Sequence, residues 1–208
     1  HPLITIETVE EARAFEFVFT EVAASDEESL RVGSVQGTRI QGKIGQYVDT
    51  FLASLLLAEA KGRFGDPAFE ERGAAALAKV LRKIEANQRQ DGQWCDQGWA
   101  PVLSQAVAAK ALNRAAQAEV RVDQAVLDRV EKAARQTVEK GDMNAPGSAG
   151  IALYGGSANL AALQENVVTD AALEADAKQI METSTDQSVR AQAKSTLDRI
   201  GQARLACD

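Results

Sequence analysis

Along most of the chain, apolar positions recur three and four residues apart, and the segments that do this come in two kinds. Some are apolar nearly all the way round. In residues 45–62, Val48, Phe51, Leu52, Leu55 and Leu56 keep helical spacing, while Ala53, Leu57 and Ala58 widen the apolar surface, so this helix is expected to be buried on most sides. Others carry a single stripe. In residues 67–88, Leu77, Val80, Leu81 and Ile84 face away from Lys79, Arg82, Lys83 and Glu85, which predicts one wet side. Asp66 as cap and Pro67 at the first helical position mark where that helix begins.

The alternation repeats down the chain. An alanine-rich segment, 101–118, precedes a striped one, 123–140, in which Val126, Val130, Ala134 and Val138 oppose Arg129, Glu131, Lys132 and Arg135. An uncharged segment, 148–164, precedes a striped one, 169–182, and Ser184 with Gln187 three residues on opens a last helix to about residue 203. Upstream, Thr8-Val9-Glu10-Glu11 reads as a capping box that opens a first helix ending near Ala24. Residues 25–43, with Gly33, Gly37 and Gly42 among polar neighbours, read mostly as loop. Only residues 2–8 alternate as a short strand would. The buried helices start near residues 45, 101 and 147, a spacing of about 50 residues that signals stacked helical hairpins. The expected fold is therefore all-α, with an N-terminal helix and loop over 1–44 and a helical-hairpin repeat domain over 45–208.

Within that pattern both tryptophans of the chain fall in one polar loop between a striped and a buried helix. The loop begins Gln88-Arg89-Gln90-Asp91-Gly92-Gln93-Trp94, which matches Q-x-x-D-G-x-W. It resembles the QW-type repeat of the terpenoid cyclase and protein prenyltransferase superfamily, whose fold is an α/α toroid of concentric helices. The resemblance covers residues 45–163. It implies that Gln88, at the end of an outer helix, hydrogen-bonds into the next repeat, that Gly92 makes a tight turn, and that Trp94 packs against neighbouring helices. A glutamine amide suits orphaned groups at helix ends, and glycine tolerates positive φ. Departures exist: the position five before Gln88, usually aromatic, is Lys83, and the later junctions lack the motif. A complete toroid needs more hairpins than 208 residues supply, so an open arc, a small incomplete toroid or a piece of a longer chain is expected. Asp186-Gln187-Ser188-Val189-Arg190, followed by Ala193, Leu197 and Ile200, resembles instead the second helix of a HEAT repeat, which makes an α-solenoid the rival architecture.

Charge and chemistry narrow the function. Twenty-three Lys and Arg against 30 Asp and Glu leave a net charge of −7, which disfavours nucleic acid and anionic membrane as partners. No run is apolar and long enough to span a bilayer. The chain starts at His1 without a signal-peptide pattern and is expected to be a processed or trimmed product. The aspartate-rich acid motif of the family's cyclases and the Asp, Cys and His zinc ligands of its prenyltransferases are both missing, and His1 is the sole histidine. Polysaccharide lyases on related toroids need basic residues, but the buried helices hold only Lys61, Lys110 and Arg114. Gly33, Gly37, Gly42 and Gly45 form no phosphate-binding pattern, and no cofactor or metal is expected. Cys95 and Cys207 admit two readings, one disulfide tying the C-terminus to the tryptophan loop or two unrelated thiols.

The remaining candidates are Tyr47, Asp49, Trp99, Ser104 and Tyr154. Asp49 lies in the first turn of an otherwise apolar helix, where a carboxylate can simply answer the helix dipole. Alternatively, inner-helix N-termini converge on one mouth, and these five residues line an enclosed pocket there. Trp94 is expected in the core, whereas Trp99 either helps it or faces a ligand. Two functions follow: a non-catalytic module that binds a protein partner or a second copy of itself, or an enzyme or carrier for a small apolar, isoprenoid or sugar ligand.

Overall fold

A computed structural model describes residues 9–27, 29–32, 39–94, 98–139 and 152–205. They form an all-α protein with helices α1 (Val9–Ala24), α2 (Arg39–Ile44), α3 (Val48–Ala60), α4 (Pro67–Ala86), α5 (Pro101–Gln117), α6 (Gln124–Glu139), α7 (Ala152–Thr183) and α8 (Gln187–Leu205). The alternating segment 2–8 and Thr8 of the expected capping box lie outside the described residues. The chain divides into two compact units, residues 1–165 and 166–208.

The first unit is built around α3, whose most extensive contact is with α5. Thr50, Ser54 and Ala58 of α3 and Ala108, Ala111 and Ala115 of α5 are all buried. Such small side chains, one turn apart, let two helix backbones approach closely. α4 packs on the same α3, and α6 packs on α5. The turn from α3 to α4 is fixed locally. Asp66 caps α4 by accepting from the Phe69 N–H at 2.9 Å, and the Glu70 carboxylate accepts from the N–H groups of Gly62 and Phe64 at 3.1 and 2.9 Å. Arg114 of α5 reaches Glu59 of α3 at 3.4 Å and Glu165 of α7 at 3.2 Å.

α1 packs on α4. Phe15 and Phe19 of α1 meet Phe64 and Phe69 in a set of edge-to-face rings 4.9–5.8 Å apart. Arg72 lies 5.2 Å above Phe19 and pairs with Glu16, whose carboxyl that hydrogen bond holds below its ordinary value. Gly73 makes room for the Phe64 ring, which comes within 2.6 Å of where a Cβ would stand.

Three expectations need correction, and one is refined. Lys83, expected on the wet side of α4, is only 1 % exposed. Its ammonium donates to the carbonyls of Asp26, Ser29 and Arg31 in the α1–α2 connection, groups that no regular structure pairs. Burial pushes the Lys83 ammonium below the usual lysine range, and the like charge of Lys79 adds to this. Second, the segment 25–43, read mostly as loop, ends in α2, and the carbonyls of Gly42 and Lys43 there accept from the N–H groups of Trp99 and Ala100 at 3.2 and 2.7 Å.

Third, the expected helix pair 148–164 and 169–182 is, over its described part, the one 32-residue helix α7. Glu165–Thr169 contains neither Gly nor Pro, and nothing else there breaks the backbone ladder. Fourth, α8 is capped by Asp186 rather than Ser184. The Asp186 carboxylate accepts from the Ser188 and Val189 N–H groups at 2.7 and 3.4 Å and from the Ser188 hydroxyl at 2.7 Å. These hydrogen bonds hold its carboxyl below the ordinary value. In the second unit, Arg199 of α8 pairs with Asp170 at 3.1 Å, and Arg190 donates to the carbonyls of Met181 and Ser184.

Lys83→Met should therefore cost about 1–3 kcal/mol, since three part-buried carbonyls lose their donor. Urea unfolding followed by circular dichroism measures this. Because the folded pKa lies below the unfolded 10.5, the unfolded chain holds the extra proton between those values. Stability should accordingly gain a component that rises as pH climbs toward 10.5, and the methionine variant should lack it.

Candidate functional site

The Q-x-x-D-G-x-W loop is a fastening between hairpins. Gln88, just past the end of α4, donates from Nε2 to the carbonyls of Gly92 and Val126, both at 3.2 Å, and its Oε1 accepts from Arg129 Nε at 2.7 Å. Val126 and Arg129 belong to α6, so one side chain ties the end of one hairpin to the first turns of the second helix of the next hairpin. Asp91 closes the turn from within, accepting from the Gln93 N–H at 3.0 Å and from Arg89 at 2.9 Å. Gly92 has φ of 83°, and a Cβ there would stand 2.5 Å from the Arg129 carbonyl oxygen. Trp94 is 6 % exposed. Its indole N–H donates to the Ile84 carbonyl at 2.6 Å and its ring meets Phe51 edge-on at 5.7 Å. Cys95 and Cys207 lie outside the described residues.

The ligand-site candidates fall in different places. Ser104 is buried in α5. Tyr47 is half-buried, with the Arg31 guanidinium 5.8 Å from its ring. Trp99 is 54 % exposed and meets Tyr154 edge-on at 6.0 Å. Asp49 is in the first turn of α3, yet its Oδ2 accepts from the Gln41 side chain of α2 at 3.2 Å rather than from the helix backbone. Its Oδ1 is buried and has no donor.

Asp49 also lines a groove of about 390 Å³ between α1 and α3. α3 contributes Asp49, Leu52, Ala53 and Leu56; α1 contributes Phe17, Val18, Glu21 and Val22; Val32 closes one end. Apart from two carboxylates the lining is apolar, and Phe17 and Leu52 on it are 59 % and 42 % exposed. Of the five candidates, Asp49 alone lines this groove. The helix expected to be buried on most sides is thus, among the described residues, open along one flank, where α1 packs on α4. The α1 wall was missed in the sequence. Its signal was the doublet Phe17-Val18, which lies outside the stripe of Phe15, Phe19 and Val22 that packs inward.

Among the described residues, no three His, Cys, Asp or Glu side chains come together as a metal site would need, and no helix is long and apolar enough to cross a membrane. No family model, curated protein or solved structure matches the chain.

The loop makes a sharp prediction. Gln88→Ala should cost about 1–3 kcal/mol by leaving the Val126 carbonyl and the Arg129 guanidinium without their partner. Gly92→Ala, strained in φ and driven into a backbone oxygen, should cost more than about 2 kcal/mol. Thermal unfolding of the two variants checks both.

Proposed function

We propose that this chain is a non-catalytic binding module on a terpenoid cyclase-like scaffold of helical hairpins, and that the groove between α1 and α3 is its binding face. The observation that carries this reading is the groove itself, apolar-lined with two large apolar side chains left in solvent on its walls. A concave, mostly apolar lining with a few polar groups is the usual form of a binding site. The chemistry of Asp49 agrees. A carboxylate bonded to a carboxamide is anchored rather than activated, since Gln41 has no proton to relay. The family likeness rests on the loop Gln88–Trp94, which serves hairpin stacking and carries no reaction.

A second reading, a small isoprenoid or carbohydrate ligand held near the helix N-termini, draws on the exposed Trp99 beside Tyr154.

Nile red, a neutral apolar dye, separates the two. With Asp49's groove as the binding face, the dye's fluorescence rises with the native protein and falls by more than about half in Leu52→Asp, while Trp99→Ala leaves it unchanged. The reverse pattern, loss in Trp99→Ala alone, would move the binding face to the Trp99–Tyr154 pair.

A further inference from the structure

We infer that the groove seats one amphipathic helix supplied by another polypeptide, with a lysine or arginine on its apolar stripe that pairs with Asp49. This rests on the groove being the binding face. The shape points to a helix. Asp49, Leu52, Ala53 and Leu56 are spaced three and four residues apart, one face of α3, on the far flank from buried Thr50, Ser54 and Ala58. Among the described residues, α3 has no helix comparable to α5 on that far flank. A volume of about 390 Å³ would also suit a small ligand. Here, though, the space is an open trough between two helices with apolar walls exposed to solvent, the form of helix-in-groove recognition.

Charge selects among helices. Both polar groups in the lining, Glu21 and Asp49, are acids. Gln41 satisfies one Asp49 oxygen, and the other has no donor. An all-apolar occupant would cover the two acids of the lining without supplying a counter-charge, a strongly unfavourable arrangement. An ammonium or guanidinium supplies both the charge and the donor. The net charge of −7 draws a basic segment toward the chain in general.

The test uses the full chain and three synthetic peptides with one leucine stripe: one with lysine in that stripe, one with glutamate in its place, and one broken by proline. Calorimetric titration should give one lysine peptide per chain, bound about tenfold tighter than the glutamate peptide, and no binding of the proline peptide. Asp49→Asn should erase the lysine preference, and Leu52→Asp, shown folded by circular dichroism, should abolish binding of both helical peptides. Equal affinity for lysine and glutamate, binding of the proline peptide, or no peptide binding at all overturns the inference. The dye experiment reports separately on whether the groove binds anything. If the free protein is a dimer that Leu52→Asp converts to monomer, the occupant is a second copy of this chain, and the inference of a separate basic helix is wrong.

Discussion

The buried ammonium of Lys83 is the constraint on which the arrangement of the first unit depends. At its described residues 25–27 and 29–32 the connection between α1 and α2 has no helix or strand of its own, so the carbonyls there need partners from elsewhere. Lys83 answers Asp26, Ser29 and Arg31 together. Lys79, one turn away, answers Ala23 and Ser25 at 2.9 and 2.8 Å, where the negative end of α1 favours a cation. From the other side, the buried Thr50 hydroxyl of α3 donates to Leu30 at 2.7 Å. α4 and α3 therefore grip the same short connection. Where it goes, α1 and Val32 go too, and those form one wall and one end of the groove.

This explains how a chain can be open where its sequence reads as buried. α3 is apolar on nearly every side, and α5 and α4 cover two of those sides. α1 could have covered the third. Its Phe15 and Phe19, held in the ring cluster with Phe64 and Phe69, and Glu16, held by Arg72, commit it to α4 instead. Among the described residues, the flank of α3 that faces the groove stays open to solvent. The two tryptophans divide along the same line between structure and surface: Trp94 is sealed beneath α4 by its bond to Ile84, and Trp99 stands in solvent against Tyr154.

How much of this was legible in the sequence depended on how local the physics was. Asp66-Pro67 and Pro101 announced the starts of α4 and α5, because cap and proline chemistry acts within a turn. The loop Gln88–Trp94 was legible for the same reason, although its partners on α6 were not nameable. Lys83 was misplaced because charge at a helical position usually means solvent, and the carbonyls that bury it lie more than 50 residues away. α7 was read as two helices from a change in charge pattern, which alters a helix's surroundings without breaking its backbone. The groove was least legible of all. Its walls come from two helices separated in sequence by α2 and two connections, and only their packing preferences decide that they stand apart.

The most direct measurement is hydrogen–deuterium exchange of the whole chain with and without the lysine-bearing helix. The account predicts new protection confined to Phe17–Val22 on α1 and Asp49–Leu56 on α3, the two walls of the groove. Protection centred on Trp99 and Tyr154, with both walls unchanged, would contradict it.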